Sequence, residues 1–160
     1  MPIRKIVPNT RAEHARVGIV VSRFNADMGE ALLAAALRAL DEAGVSSDSI
    51  TVASVPGALE APLALQRMAQ TGDYDALVVL GAVIRGETYH FEIVSNESAR
   101  GIMDLTVRNH LAIGNGVLTV EDEEQAWARA RVSEGDKGGG AARAALTMIS
   151  MKQQFLGVRS

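Results

Sequence analysis

The stretch at 81–91, GAVIRGETYHF, places a histidine next to a turn that suits an anion. Gly86 allows the backbone to approach a ligand closely, and Thr88 can cap a helix that follows it. The N–H groups freed at such a helix start favour an anion such as phosphate. The imidazole of His90 can exchange a proton near neutral pH. The stretch therefore predicts an anion-binding turn beside a general acid–base group.

Two other segments also carry polar or aromatic residues directly after an apolar run, namely SRFN and VPGALE. Taken alone, Phe24 is most simply a core residue and Asn25 a helix N-cap. The Pro-Gly pair of the second segment permits a tight turn whose N–H groups point outward. Glu60 then falls in the first turn of a helix, where a negative charge is favourable whatever the function.

A fourth segment, 115–122, leads into a helix that carries Arg129. A guanidinium can bind phosphate through two parallel hydrogen bonds. The simpler alternative is an exposed helical arginine that pairs with Gln125 or another neighbour. Lys137, in a glycine-rich stretch, is a second possible cation with an equally ordinary alternative.

Short apolar runs alternate with helical patterns along the chain, which predicts βαβ units and a parallel sheet covered on both faces. Right-handed crossovers bring the carboxyl ends of all strands to one edge, where open α/β sheets bind ligands. The four segments should therefore meet. The predicted strands are 16–22, 49–55, 115–120 and one within 74–84, and the predicted helices are 31–40, 59–69, 91–110, 121–131 and 141–155.

Local signals set the predicted boundaries. Asp27 and Glu30 have capping-box spacing before the first helix, and Gly44 suits its C-terminal end. A second glycine, Gly72, ends the next helix. Residues 134–140 are interpreted as a flexible turn. The polar residues 1–15 are predicted to be a flexible N-terminal arm, and residues 16–160 a single domain.

Composition excludes several classes of protein. The chain has 160 residues, a net charge of −3 and no cysteine, so disulfides, thiolate catalysis and nucleic-acid binding are not expected. P-loop, GxGxxG, HExxH and GxSxG patterns are absent. We expect neither a metal nor a cofactor. No secretory or membrane-spanning segment is recognisable, so we expect a cytoplasmic protein. The remaining histidines, His14 and His110, are interpreted as structural or exposed.

Five segments together resemble the lumazine synthase family: SRFN at 22–25, VPGALEAP at 55–62, GAVIRGETYHFEIVSNE at 81–97, NGVLTVEDEEQA at 115–126 and DKGGGAA at 136–142. They occur in the order found in the family. The resemblance implies a flavodoxin-like three-layer α/β/α fold around a four-stranded parallel sheet. It also implies the condensation of 5-amino-6-ribitylamino-uracil with 3,4-dihydroxy-2-butanone 4-phosphate in riboflavin biosynthesis.

The resemblance implies a role for each matching residue. Two residues would be catalytic: His90 would shuttle protons, and Arg129 would bind the phosphate. Phe24 would stack on the pyrimidine ring. The remaining substrate-binding positions would be Ala58, Leu59 and Glu60 on the ribityl chain, Val83 and Ile84 on the heterocycle, Glu87 and Thr88 on the phosphate through N–H groups, and Lys137 near the phosphate.

Two positions depart from the family pattern. Many members carry an aromatic residue where Asn115 stands, which puts a contact with the heterocycle in doubt. Many also carry glutamate where Gly140 stands, so that glutamate has no counterpart here. Neither departure touches His90 or Arg129, so we expect activity.

The resemblance also implies a homo-oligomer with each site shared between neighbouring subunits. Asn115, Arg129 and Lys137 would then come from the subunit next to the one that supplies the other site residues. The turn at 131–138 differs from that of shell-forming members, so we expect a free pentamer. Riboflavin synthase is a candidate partner. The alternatives are a flavin- or phospho-ligand-binding module, and a scaffold that keeps the assembly without activity.

Overall fold

The computed structural model describes residues 2–157, and Met1 and residues 158–160 of the predicted arm and domain lie outside the described residues. Four parallel strands form the centre of the fold, in the spatial order β2-β1-β3-β4. They are β1 (Val17–Ser22), β2 (Ile50–Val55), β3 (Ala76–Ile84) and β4 (Ile113–Val120).

Strand β3 is buried on both faces because its sequence is continuously apolar. Val78 and Leu80 point into one hydrophobic core, and Leu77 and Val79 point into a second core on the other side of the sheet. The alternation follows from the two-residue side-chain period of a strand.

Helices cover both faces of the sheet. The first core includes residues of the helices at 26–42, 123–130 and 137–155, and the second includes residues of the helices at 61–71 and 90–108. This arrangement confirms the predicted three-layer α/β/α, flavodoxin-like fold. No helix within residues 2–157 is long and apolar enough to span a membrane. The helices are α1 (Ala26–Glu42), α2 (Ala61–Thr71), α3 (His90–Arg108), α4 (Glu123–Ala130) and α5 (Lys137–Phe155), with short 3₁₀ turns at Ser47–Ser49 and Ala58–Glu60.

The carboxyl ends of the strands meet at one edge, as the parallel topology requires. Ser22 at the end of β1 is in register with Val55 at the end of β2, and Ile84 with Val120. The four polar segments that follow the strands therefore lie along the same edge.

Helix α1 begins earlier than predicted, at Ala26 rather than near residue 31. Asn25 precedes it in the left-handed conformation, with φ 58°, and its side chain donates to the carbonyl of Ala82 at 3.0 Å. The predicted capping box is therefore wrong, because Asp27 already lies inside the first turn. The contact with β3, rather than local capping, decides where this helix starts.

Helix α5 also begins earlier than predicted, at Lys137, so its three glycines belong to the helix and not to a flexible turn. A Cβ on Gly138 would overlap the backbone carbonyl of Leu32, and one on Gly139 would lie 2.6 Å from the Asp136 carboxylate. Gly138 is needed because α5 and α1 approach closely there, and Gly139 is needed because the Asp136 carboxylate lies beside it. These contacts offset the poor intrinsic helix propensity of the two glycines.

The predicted helix ends are correct where glycine is present. Gly44 follows α1 with φ 90° and Gly72 follows α2 with φ 73°. Both are in the left-handed region that glycine enters without a Cβ penalty. These ends are set locally, which is why the sequence predicts them.

The segment 2–12 contains no helix or strand and runs beside α5. The N–H of Asn9 donates to Ser150 Oγ at 2.9 Å, and Gln154 Nε2 donates to the carbonyl of Val7 at 2.9 Å. Ala12 and Ala15 are buried against the core. The flexibility expected of this arm stays a prediction.

Candidate functional site

A cavity of about 470 Å³ lies at the carboxyl edge of the sheet. It is bounded by the segments that follow β1, β2 and β3 and by the start of α3. Most of the predicted site residues line it, namely Phe24, Ala58, Leu59, Glu60, Val83, Ile84, Thr88 and His90.

The segment after β1 presents an aromatic ring at the cavity. Phe24 is 69% exposed, so its interpretation as a core residue is wrong. The buried hydroxyl of Ser22 accepts a hydrogen bond from the Phe24 N–H at 3.3 Å, and the Arg23 N–H donates to the carbonyl of Val55 at 2.8 Å. These contacts fix the backbone of the segment and leave the ring free to meet a ligand.

The segment after β2 forms a compact turn that lines the cavity. The Glu60 N–H donates to the carbonyl of Gly57 at 3.2 Å, closing the 3₁₀ turn, and α2 starts directly afterwards. Ala58 is buried, whereas Leu59 is 45% exposed and Glu60 is also exposed. The carboxylate of Glu60 is therefore available to hydroxyl groups of a ligand.

The segment after β3 has the geometry of an anion-binding turn. Thr88 Oγ1 accepts from the His90 N–H at 3.4 Å, and α3 begins at His90. Within residues 2–157, the N–H groups of Gly86, Glu87 and Thr88 have no hydrogen-bond partner. Three neighbouring N–H groups near a helix N-terminus favour a bound anion. Glu87 is exposed beside the cavity without lining it.

The imidazole of His90 is exposed and lines the cavity. It is the first residue of α3 and lies two residues after Thr88, the last residue of the anion-binding turn. A group placed there can give or take a proton from a ligand whose anion occupies the turn.

The other predicted site residues, Asn115, Arg129 and Lys137, do not line this cavity. Asn115 is exposed on the edge strand β4, where its Oδ1 accepts from the Val117 N–H at 2.9 Å. Arg129 is exposed on α4 and donates to the carbonyl of Gln125 at 3.0 Å. Within one chain, Arg129 is therefore the exposed helical arginine paired with Gln125 that the simpler alternative describes.

Arg129 and Lys137 nevertheless share one structural unit. The Gly135 N–H donates to the carbonyl of Ala128 at 2.8 Å, which folds the turn after α4 back onto that helix. A Cβ on Gly135 would lie 2.8 Å from Cα of Arg129. Arg129, near the end of α4, and Lys137, at the start of α5, thus lie on either side of one tight turn.

Arg85 is a residue of this edge that the sequence analysis missed. Its Nε donates to Glu121 Oε2 at 2.7 Å and its Nη1 donates to Glu92 Oε1. Its guanidinium carbon lies 4.4 Å from the centre of the Phe91 ring, in cation–π geometry. The sequence held part of the signal for this cluster, because the acidic residue Glu92 lies seven positions after Arg85. Glu121, 36 positions away, becomes a neighbour only in the folded chain.

The charged groups of Arg85 and its two glutamate partners shift one another's pKa values. Hydrogen bonds to Glu92 and then to Glu121 raise the pKa of Arg85 above its ordinary value. The hydrogen bond from Arg85 lowers the pKa of Glu92 below its ordinary value. Both effects favour the ionised pair over the neutral pair.

No group of three or more histidine, aspartate or glutamate residues within 2–157 is placed to hold a metal ion. The cavity wall itself presents N–H donors, an imidazole, a carboxylate and an aromatic ring.

Comparisons with known proteins agree with this geometry. The family model described as 6,7-dimethyl-8-ribityllumazine synthase matches residues 14–153. A Rhizobium meliloti protein named 6,7-dimethyl-8-ribityllumazine synthase 1 is 60% identical over 142 residues, which cover 86% of this chain and 91% of that protein. An Agrobacterium fabrum protein with the name 6,7-dimethyl-8-ribityllumazine synthase is 58% identical over 144 residues, covering 87% and 95%. A Methylobacillus flagellatus protein of the same name is 50% identical over 153 residues, covering 96% and 100%. The chain belongs to the 6,7-dimethyl-8-ribityllumazine synthase family.

Proposed function

We propose that this chain condenses 5-amino-6-ribitylamino-uracil with 3,4-dihydroxy-2-butanone 4-phosphate to give 6,7-dimethyl-8-ribityllumazine, phosphate and water. The observation that carries the proposal is the pairing of unbonded N–H groups at 86–88 with His90 on the wall of one cavity. Family membership supplies the substrates.

The pyrimidine would lie in the part of the cavity formed after β1 and β2. The exposed ring of Phe24 offers a stacking surface for a planar heterocycle. Backbone groups of Val83 and Ile84, at the end of β3, would meet the polar edge of the same ring. The 3₁₀ turn Ala58–Glu60 would hold the ribityl chain, with the Glu60 carboxylate accepting from its hydroxyl groups.

The phosphate would lie on the N–H groups of Glu87 and Thr88, within reach of a proton from His90. Positive potential at this helix start stabilises the charge that develops as phosphate leaves.

The reaction needs positioning and proton transfer from the protein. The primary amine adds to the ketone and water leaves, which forms an imine. Loss of a proton from the adjacent carbon then expels phosphate, whose oxygen keeps the electrons of the broken C–O bond. The enol left by this elimination takes up a proton on its terminal carbon, loses its hydroxyl proton and becomes a ketone. The ribityl-bearing amine closes the ring on that ketone carbon, and a second water leaves. His90 would move the protons of these steps, while the fixed geometry of both substrates supplies most of the acceleration.

We further propose that the site is completed by a neighbouring subunit in a pentamer. Arg129, Lys137 and Asn115 are exposed and lie outside the cavity of their own chain. A ring of subunits lets each of them face the cavity of the next copy, because a head-to-tail contact repeats the same pair of surfaces. Arg129 and Lys137 would then neutralise the phosphate from the side opposite the N–H groups.

A cytoplasmic location belongs to the same proposal, since a phosphorylated substrate is charged and does not cross membranes unaided. The lumazine product needs an enzyme that consumes it, and riboflavin synthase is the proposed partner.

The direct test mixes purified protein with both substrates and follows lumazine fluorescence together with released phosphate. We expect equal amounts of both products. Protein that binds a flavin or either substrate but forms no lumazine would be a binding module, and the proposal would be wrong. Protein that assembles but does neither would be a scaffold.

Light scattering tests the assembly. We expect the mass of five subunits, and a mass near sixty subunits would contradict the free pentamer.

A further inference from the structure

Arg85 lies where three elements of the site meet. Its backbone N–H donates to the carbonyl of Val120 at 2.9 Å, and its side chain donates to Glu121 and to Glu92. It therefore joins the end of β3 both to the exit of β4 and to the first turn of α3.

The segment 86–90 carries the proposed phosphate turn and His90. The Tyr89 carbonyl accepts from the N–H groups of Glu92 and Ile93 and so joins the end of the segment to α3, whereas the start of the segment has few other restraints. Within residues 2–157, the contact between Thr88 Oγ1 and the His90 N–H is the one hydrogen bond made between residues of this segment. A Cβ on Gly86 would meet no atom within 4 Å. All five side-chain positions are exposed.

The Arg85–Glu92 ion pair closes this segment at both ends, because Arg85 precedes it and Glu92 follows it. The Phe91 ring, which lines the cavity directly after His90, lies against the guanidinium. Glu121 holds the guanidinium from the other side. The arginine thus fixes the start of the segment, its end and the ring next to the imidazole.

We propose that Arg85 is a positioning residue: by binding Glu92, Glu121 and Phe91 together, it holds segment 86–90 in the shape that receives phosphate and keeps His90 in the cavity. The inference rests on the proposed function of this edge. A displacement of about 1 Å in a positioned group can reduce a rate by about 10²-fold.

An effect on positioning is separable from an effect on folding. Arg85, Glu92 and Glu121 are all partly exposed, and exposed ion pairs contribute little to global stability. Removing the arginine should therefore impair the phosphate end of the site while the melting temperature changes little.

The test compares Arg85→Gln and Arg85→Lys with Arg100→Gln as the matched control. Arg100 also pairs with two carboxylates, Glu97 and Asp104, but all three lie on α3 outside the cavity. The measurements are kcat, KM for each substrate, the melting temperature, and the Kd of inorganic phosphate determined by calorimetry.

For Arg85→Gln we expect the phosphate Kd and the KM of the butanone phosphate to rise about tenfold, and kcat to fall about 10- to 100-fold. The KM of the pyrimidine should change by less than about threefold, since Phe24 and Glu60 are not touched. Arg85→Lys should recover only part of the loss, because an ammonium cannot fork between two carboxylates as a guanidinium does. Arg100→Gln should match the unmodified chain.

The inference would be overturned if Arg85→Gln had the same phosphate Kd and the same kinetics as Arg100→Gln. Equal losses for both substrates with a large fall in melting temperature would also overturn it, because they indicate a structural role. If the unmodified chain forms no lumazine, the proposed function fails, and the phosphate Kd alone then decides about Arg85. If Arg85→Gln does not fold, Glu92→Gln keeps the arginine and must give the same selective rise in phosphate Kd.

Discussion

Asn25 Nδ2 donates a hydrogen bond to the carbonyl of Ala82 at 3.0 Å, and this contact joins the start of α1 to the interior of β3. It ties the segment that carries Phe24 to the strand that leads to His90. Asn25 has φ 58°, a left-handed conformation that asparagine tolerates better than most residues. Asn25 therefore supplies both a left-handed backbone conformation and a hydrogen bond from the start of α1 to β3.

The two contributions of Asn25 can be separated by substitution. Asn25→Gly keeps the left-handed backbone and loses the hydrogen bond, which should cost about 0.5–1.5 kcal/mol of unfolding free energy. Asn25→Ala loses the bond and adds about 1–2 kcal/mol of backbone strain. Denaturation of both variants at one protein concentration checks this order. Equal stability of the two variants would show that the left-handed backbone is not strained.

His90→Ala should lower kcat by about 10²–10⁴-fold, as expected for the loss of a general acid–base group. The substrate affinities should change little, because the phosphate turn is built from backbone N–H groups. His14→Ala is the control, since His14 is exposed on the turn before β1. Steady-state kinetics of both variants decide the matter. Turnover of His90→Ala that equals that of His14→Ala would remove His90 from the mechanism.

A shared site predicts complementation between two defective chains. Arg129→Ala should raise the KM of the butanone phosphate by about tenfold or more, because a charged hydrogen-bond donor to the phosphate is lost. In mixed rings of Arg129→Ala and His90→Ala chains, about a quarter of the sites receive both intact residues. Equimolar co-assembly should therefore restore about a quarter of the activity. Mixed rings no more active than the average of the separate variants would place both residues in one chain.

The Arg85–Glu92 pair predicts a pH-dependent contribution to stability. The pKa of Glu92 is lowered in the folded chain by Arg85, so the contribution is fully present above the ordinary pKa of glutamate. It is lost as pH falls through the lowered pKa of Glu92 in the folded chain, where the carboxylate becomes protonated in both states. The melting temperature of Glu92→Gln should therefore lie slightly below that of the unmodified chain at pH 7, by no more than an exposed ion pair contributes, and this small difference should shrink on acidification. A difference that grows on acidification would contradict this sign.

Two glycines of α5 should respond to alanine in opposite directions. Gly140 has no atom within 4 Å of a Cβ position, so Gly140→Ala should stabilise the helix by about 0.5–1 kcal/mol. Gly138 faces the backbone of Leu32 in α1, so Gly138→Ala should destabilise the fold by about 1–3 kcal/mol. Thermal unfolding at a fixed protein concentration tests the pair. A stabilising Gly138→Ala would mean that α1 and α5 separate more easily than their contact implies.

Much of this protein could be predicted from local sequence. The apolar run of β3 and its polar ending predicted both a buried strand and a ligand-binding turn, because burial and backbone freedom act over a few residues. The left-handed glycines at 44 and 72 predicted two helix ends for the same reason. The parallel order of the strands then required their endings to share an edge.

Contacts between distant residues could not be predicted in this way. Helix α1 starts at Ala26 because Asn25 reaches Ala82, and the first turn of α5 includes Gly138 because that residue meets the backbone of Leu32 in α1. Arg85 is hydrogen-bonded to Glu121, which directly follows β4 and lies 36 positions away in the chain. By itself the sequence determined the order of strands and helices and the edge at which the strands end, and it predicted which residues carry the chemistry. Only the tertiary structure decided how they are held and which of them share one cavity, because those outcomes depend on packing between elements far apart in the chain.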